Sequence, residues 1–221
     1  MAESGESAGV DAATPDQRTA RRYTLLLRAA KLVAPVREYL CILRDVSATG
    51  LKVRLFHPLP DSADWQLELG QGERFALDPV WQADGHAGFR FRDAPIDPLR
   101  LVDEEAGPFP RRHIRLHLEL PVMLRVDGMA RAAMLRDLSQ LGALVRVEPP
   151  LALRQPVRID APEFPLRHAR VRWRRGLDHG LVFQEAFRLD ELALLVSRLQ
   201  DASVAEESGH PAAPRTALTS D

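Results

Sequence analysis

The sequence predicts a mainly β protein that consists of two small antiparallel barrels or sandwiches in tandem. The first observation behind this prediction is an internal repeat, because the segment 43–54 returns as 135–146, shifted by 92 positions. The second is a series of short apolar-rich segments separated by turn residues, which is typical of small all-β domains. A period of about 90 residues is too long for a solenoid unit and matches the size of a small domain.

Both copies of the repeat contain the motif Leu-Arg-Asp-x-Ser-x-x-Gly-x-x-Val-Arg. The register also holds downstream at three pairs of positions: Trp81 and Trp173, Gly88 and Gly180, and Phe91 and Phe183. A chance match would not keep register over this distance, so the sequence indicates a duplicated domain.

Strands are predicted in both copies. In the first copy they cover 23–33, 37–46 and 51–55. In the second copy they cover 114–126, 129–138, 143–147, 157–159, 169–173 and 180–183. These segments are rich in apolar residues and are bounded by turn-forming residues, which is the pattern of strands in small antiparallel sheets.

Only the segment 189–199 changes clearly to helical periodicity. Four apolar residues fall on one face of this helix: Leu192, Leu195, Val196 and Leu199. We expect this face to pack on the second barrel. A shorter helix is predicted within 96–105, and the Gly-Pro pair that follows at 107–108 indicates a domain boundary.

The two ends of the chain are small, polar and acidic, and they hold too few large apolar groups to offset the entropy of ordering. The predicted organisation is a disordered tail at 1–17, a first domain at 18–95, a linker with a short helix at 96–110, a second domain at 111–201 and a disordered tail at 202–221.

Cysteine content and hydropathy indicate the compartment. Cys41 is the single cysteine of the chain, so no disulfide framework exists within it, as is usual in a reducing cytoplasm. The first residues lack the basic start and apolar stretch of a secretory signal. No uncharged apolar run approaches the roughly 18 residues of a membrane helix. We therefore expect a cytoplasmic protein without membrane insertion.

The net charge of −1 conceals an uneven distribution. The segment 18–107 holds 13 basic and 13 acidic residues, whereas 108–200 holds 16 basic and 10 acidic residues. This excess fits an anionic partner of the second copy. Arginine outnumbers lysine by 28 to 2, so a compositional bias of the genome is the alternative explanation for the excess.

Two arginines with three residues between them precede each Asp-x-Ser-x-x-Gly motif: Arg18 and Arg22 in the first copy, and Arg111 and Arg115 in the second. This combination resembles the signature of the PilZ family, which binds the bacterial second messenger cyclic di-GMP. The resemblance covers 18–95 and 108–200. It implies a bacterial signalling protein with two tandem small antiparallel β-barrels, each followed by a short helix.

The resemblance implies ten ligand-binding residues: Arg18, Arg22, Asp45, Ser47, Gly50, Arg111, Arg115, Asp137, Ser139 and Gly142. The implied ligand is cyclic di-GMP, and no cofactor or metal is expected. Arg21 and Arg112 lie inside the arginine pairs, whereas the family often places an extra arginine before the pair. This departure leaves open whether one or both domains bind, and the charge excess favours the second.

The residue types suit such a ligand. An arginine can pair with phosphate or with guanine O6 and N7, and it can stack on a purine. The aspartate can accept from guanine N–H groups or orient an arginine, and the serine can contact a phosphate or a base edge. The glycine either adopts positive φ or lets a backbone approach closely. Trp81 and Trp173 are expected to pack in the core or on an edge strand and not to serve as stacking platforms for a base.

The interpretation is a non-catalytic receptor that passes the messenger level to an effector protein through closure of the arginine segment. The chain contains no nucleophile elbow, Walker loop or dinucleotide fingerprint, which argues against an enzyme. The main alternative is a non-binding scaffold that docks on a protein of motility, exopolysaccharide or cell-cycle control. Nucleic-acid binding is disfavoured, because aromatic residues do not interleave with the basic ones.

Overall fold

The computed structural model describes residues 23–70, 72–93, 95–102 and 113–207. These residues form two closed antiparallel β-barrels of six strands each. The mainly β prediction is confirmed, and the structure decides for the barrel over the sandwich. Closure pairs every strand on both sides, so neither sheet exposes a free edge.

The first barrel has the strand order β1-β2-β3-β6-β5-β4. Its elements are β1 (Tyr23–Val33), β2 (Glu38–Val46), β3 (Gly50–Leu55), β4 (Trp65–Glu68), β5 (Arg74–Ala83), β6 (His86–Phe91) and the short helix α1 (Leu99–Val102). The predicted strands of this copy are present, and α1 lies within the segment predicted to contain a short helix.

The second barrel repeats this order strand for strand, as β7-β8-β9-β12-β11-β10. Its elements are β7 (Leu116–Val126), β8 (Met129–Leu138), β9 (Gly142–Val147), β10 (Pro156–Ala161), β11 (Phe164–Arg175), β12 (Asp178–Phe183) and the helix α2 (Leu189–Glu207). β11 is longer than predicted, and α2 continues beyond the predicted end at 199.

Hairpins with Asp-Gly turns join β5 to β6 and β7 to β8. Asp84 and Gly85 have φ values of 49° and 69°, and Asp127 and Gly128 have φ values of 49° and 79°. Two consecutive residues with positive φ match the twist of antiparallel strands, and Asp-Gly is a preferred pair for such turns. These two dipeptides therefore fix the register of their hairpins.

Each barrel has its own apolar core. In the first, Trp65 lies at the centre, with ring centroids 5.5 Å from Tyr39 and 6.2 Å from Phe89. In the second, the predicted face of α2 closes the core, and its four apolar residues are buried: Leu192, Leu195, Val196 and Leu199. Burial of each such side chain stabilises the fold by roughly 1.5–3 kcal/mol. The prediction for this helix face is confirmed.

Strand β2 buries both of its faces. Tyr39, Cys41 and Leu43 belong to the core of the first barrel. Leu40, on the opposite face of the strand, belongs to the core cluster of the second barrel. A strand that is buried on both faces has a continuous run of apolar residues instead of an alternating pattern. This burial explains why residues 39–43 are all apolar. The second barrel therefore packs against the outer face of β2.

A polar network surrounds this apolar contact. The ammonium of Lys31 lies 2.9 Å from a carboxylate oxygen of Glu38 and 2.9 Å from one of Glu68. Glu38 accepts a hydrogen bond of 2.8 Å from the backbone N–H of His117 on the second barrel. Arg37 forms an ion pair with Asp201 of α2. The contact between the barrels thus combines an apolar centre with charged groups.

In the part of the chain that the structure describes, no helix is long and apolar enough to cross a membrane.

We predict that Leu40→Ala weakens the contact between the barrels. The substitution removes a buried side chain from the second core, so the free energy of unfolding should fall by about 2–4 kcal/mol. Urea unfolding followed by circular dichroism measures this change. Leu194→Ala, at a half-exposed position of α2, is the matched control and should change stability by under about 0.5 kcal/mol. Equal unfolding midpoints for the two variants would contradict the assignment of Leu40.

We also predict a pH dependence that comes from Glu38. Burial opposes its ionisation, but hydrogen bonds from the His117 backbone and from Lys31 outweigh burial and lower the pKa of Glu38. A lowered folded-state pKa adds stability above the ordinary carboxyl pKa, and this stability disappears as pH falls through the lower value. The stability difference between the wild type and Glu38→Gln should therefore be largest near neutral pH and shrink in acid. Unfolding titrations across this range test it; a constant difference would contradict it.

Candidate functional site

A β-bulge positions the aspartate of each repeated motif. In the pairing of β8 with β9, the register shifts between Leu135 and Asp137, so Arg136 is the extra residue. The pairing of β2 with β3 has the same shift between Leu43 and Asp45. A bulge increases the local twist and redirects the side chains that follow it. Both aspartates therefore occupy equivalent places at the ends of equivalent strands.

The serines of the motif close the turns that follow. The hydroxyl of Ser139 donates to the carbonyl of Gly142 at 3.0 Å, and its backbone N–H donates to the same oxygen at 2.9 Å. Ser47 makes the equivalent bonds to Gly50 at 3.2 and 2.8 Å. These hydroxyls are engaged in the turn, so a direct contact of either serine with a ligand stays a prediction.

The glycines of the motif allow a close backbone approach. Neither Gly50 nor Gly142 has positive φ. A Cβ atom at Gly50 would lie 2.5 Å from the carbonyl oxygen of Phe89 on β6, and one at Gly142 would overlap the carbonyl of Leu181 on β12. Of the two roles that the sequence left open, close approach is the one observed, and the approaching backbone belongs to the neighbouring strand.

In the second barrel, the structure brings a predicted arginine and a predicted aspartate together. The Nη1 atom of Arg115, just before β7, donates to Oδ1 of Asp137 at 2.5 Å. The Arg115 side chain is 45% exposed, whereas that of Asp137 is 12% exposed. The buried carboxylate therefore holds one edge of the guanidinium, and the remaining N–H groups stay accessible from the cleft beside it.

This cleft has a volume of about 1120 Å³. Arg115, Asp137, Ser139 and Gly142 line one side of it, together with four residues of β11: Arg172, Trp173, Arg174 and Arg175. The turn between β4 and β5 of the first barrel, with Glu68 and Leu69, lines another side. Lys31 and Arg74 both form ion pairs with Glu68, so this carboxylate is neutralised where it borders the cleft.

Trp173 lies on the outside of the second barrel. The register of β11 against β12 shifts between Val171 and Trp173. The indole lies directly on Gly180 of β12, where a Cβ atom would overlap its Nε1 atom. The ring is 43% exposed. Trp81 has the same position over Gly88 and is 45% exposed.

The expectation that both tryptophans pack in the core or on an edge strand was therefore wrong. Closed barrels have no edge strand, and a bulge turns each indole outward onto a glycine. The signal that could have revealed this placement was the repetition of the Trp and Gly pair at one fixed spacing in both copies. The glycine is required by the ring that covers it.

The first barrel has a smaller cleft of about 530 Å³ at the equivalent place, lined by Asp45, Ser47, Gly50 and Trp81 among others. Here Lys52 lies 5.9 Å from the centre of the Trp81 ring. Several positions around the tryptophan differ between the copies: Lys52, Val80, Gln82 and Arg90 in the first correspond to Leu144, Arg172, Arg174 and Val182 in the second. Only the second cleft thus has arginines on both sides of its tryptophan.

Three predicted site residues lie outside the described residues: Arg18, Arg22 and Arg111. Arg115 is thus the member of the predicted pairs whose surroundings can be described. The predicted tail at 1–17, most of that at 202–221 and the boundary segment 103–112 also lie outside. Among the described residues, no group of three His, Cys, Asp or Glu side chains could hold a metal ion.

The family comparison agrees with this geometry. Residues 110–200 match the family model described as the PilZ domain. We call the second barrel, which this match covers, the PilZ domain. The match covers the second barrel and the first part of α2, including Arg115, Asp137 and Trp173. The first barrel shares the strand order of this PilZ domain.

Solved structures similar to the chain include the PlzA protein of Borreliella burgdorferi in complex with c-di-GMP, at 13% identity, covering 77% of this chain and 86% of that chain, with a TM-score of 0.33. The Bacillus subtilis inhibitor of motility (MotI/DgrA) has 13% identity, coverage of 82% and 99%, and a TM-score of 0.33. YcgR from Escherichia coli, in complex with c-di-GMP, has 11% identity, coverage of 82% and 87%, and a TM-score of 0.29. No curated protein matches the chain.

We predict that Gly180→Ala displaces Trp173 from the surface of the PilZ domain. The added methyl group cannot coexist with the indole above it, so the ring must move and the fold should lose about 1–3 kcal/mol. Near-ultraviolet circular dichroism and urea unfolding measure the two effects. Gly88→Ala, which displaces Trp81, should behave alike. An unchanged aromatic signal in both variants would contradict the placement of the rings.

Proposed function

We propose that the protein is a non-catalytic cytoplasmic receptor for cyclic di-GMP and that its PilZ domain carries the binding site. The observation that supports this most directly is the cleft in which the Arg115 and Asp137 pair faces Trp173, with Arg172 and Arg174 beside the ring. The family match over 110–200 supports the same ligand class, since the PilZ signature is that of a cyclic di-GMP receptor.

The chemistry of the cleft fits a ligand with two phosphates and two guanines. Arg115, fixed by Asp137, presents its free N–H groups to a phosphate or to guanine O6 and N7. Trp173 offers an exposed ring on which a guanine can stack. Among the described residues, Arg172 forms no ion pair, and Arg174 donates only to a backbone carbonyl, that of Leu151. Both charges are therefore available to an anion.

We infer that the first barrel is a scaffold and that the PilZ domain binds. The two clefts share the aspartate, the serine turn and the tryptophan, but only in the second are both strand neighbours of the tryptophan arginines. Arg90, which lines the first cleft, is paired with Asp78. In the first, Lys52 lies near Trp81, and neutral side chains stand where Arg172 and Arg174 stand in the second. The non-binding scaffold that the sequence left as an alternative thus describes the first barrel.

In this proposal, the two domains extend over 18–95 and 111–201, with the linker between them at 96–110. The ligand draws the segment that carries Arg111 and Arg115 onto the barrel surface, and this closure signals to an effector protein. Closure requires only that the ligand bind the closed arrangement more tightly than the open one.

We predict that Arg115→Ala weakens binding of cyclic di-GMP at least about a hundredfold, since it removes charge-assisted hydrogen bonds of about 1.5–3 kcal/mol each. Trp173→Ala should weaken binding about tenfold or more through loss of base stacking. Isothermal titration calorimetry of the whole chain measures both. Ligands without guanine, such as cyclic di-AMP, test base recognition in the same assay.

The duplication supplies matched controls. Asp45→Ala and Trp81→Ala change the equivalent positions of the first barrel and should leave the dissociation constant within about twofold, because no direct contact is lost. Loss of binding in these variants, with binding retained in Trp173→Ala, would assign the ligand to the first barrel instead. Absence of both heat and thermal shift for the wild type at tens of micromolar ligand would favour a scaffold throughout.

A further inference from the structure

The ammonium group of Lys31 is buried where the two barrels meet. Its side chain is 1% exposed. The Nζ atom donates to Oε1 of Glu38 at 2.9 Å and lies 2.9 Å from Oε1 of Glu68. It also donates to the backbone carbonyl oxygen of Arg115 at 3.1 Å. An ammonium group has three N–H donors, so these three acceptors satisfy it completely.

The third acceptor belongs to the proposed binding site. Arg115 lies on the other barrel, and its side chain holds Asp137 at the cleft. Two residues further on, the backbone N–H of His117 donates to Oε2 of Glu38 at 2.8 Å, and its Nδ1 lies 2.9 Å from Oε1. Between them, Leu116 is fully buried in the second core. Lys31 and Glu38 therefore hold the chain on both sides of this anchor.

The start of β7 is only weakly supported by its own sheet. In its pairing with β8, Leu116 and His117 lie opposite Leu138 and Asp137, but the register then shifts before Leu120. The first two paired residues are thus separated from the regular part of the ladder by a bulge, where pairing is locally disrupted. The contacts from the first barrel replace the support that a continuous ladder would give.

We propose that Lys31 is a positioning residue for the site on the PilZ domain. It fixes the backbone from which the Arg115 side chain projects, and Glu38 completes the link through His117. A binding group that is already ordered loses less entropy when the ligand arrives, so preorganisation raises affinity. Through Lys31, the first barrel therefore orders a residue of the ligand site without a contact between Lys31 and the ligand. The ligand named here rests on the proposed function, but the positioning itself does not.

The test uses Lys31→Met in the full chain. Methionine keeps an unbranched apolar side chain that is one atom shorter, but it cannot donate to Arg115. The matched control is Arg125→Met, which removes a cation from a half-exposed ion pair with Asp160 that does not line the cleft. Hydrogen exchange is measured first, without ligand, and titration calorimetry with cyclic di-GMP follows.

We expect amide exchange of residues 115–117 to become at least about tenfold faster in Lys31→Met, while β9 and β12 keep their wild-type rates. The dissociation constant for cyclic di-GMP should rise about tenfold, the size expected for one hydrogen bond to a charged group. Arg125→Met should leave both quantities within about twofold, as is usual for an exposed ion pair.

The outcomes separate the two proposals. Wild-type exchange at 115–117 in Lys31→Met overturns the positioning role, whatever the ligand. Faster exchange with an unchanged dissociation constant also overturns it, while the proposed function stands. A wild type that does not bind cyclic di-GMP overturns the proposed function, and the exchange rates still decide whether Lys31 orders Arg115. If Lys31→Met does not fold, Glu38→Gln takes its place, with faster exchange at His117 expected and an unchanged rate overturning the proposal.

Discussion

The structure depends on one constraint, which is that strand β2 must bury both of its faces. Its inner face completes the first core, and its outer face, through Leu40, enters the second. This contact brings the turn between β4 and β5 to the cleft of the PilZ domain and brings Lys31 to the carbonyl of Arg115. A buried ammonium is tolerated there only because it is paired and fully hydrogen-bonded. The apolar contact and the polar network therefore require each other.

Duplication has preserved the geometry of the two barrels and changed their chemistry. The bulge before the aspartate, the serine turn and the indole over a glycine are present in both copies. Each of these features fixes the structure within its own barrel. The serine closes the turn through hydrogen bonds, and the indole packs directly on the glycine of the neighbouring strand. The side chains around the tryptophan face solvent and have no such role. They were free to diverge, and the second copy has arginines where the first has Val80 and Gln82.

The repeated motif acts mainly through what it positions. Its serine and glycine shape the turn and the approach of the neighbouring strand. Its aspartate lies just after a bulge, where a short carboxylate can orient an arginine from another segment. The cations that line the cleft are therefore long and partly exposed, while the groups that hold them are short and buried. This division explains why the motif alone reads as an ordinary turn.

The sequence by itself determined the duplication, the mainly β class, the apolar face of α2 and the pairing of motifs that indicates a PilZ domain. These properties are local or periodic, and strand alternation, turn residues and spacing record them directly. Tertiary structure decided the rest. The outward position of Trp173 depends on a bulge in one strand and a glycine in another, and the link from Lys31 to Arg115 joins residues 84 positions apart. Contacts between distant segments arise from how the strands pair and how the barrels pack, which residue spacing alone does not encode.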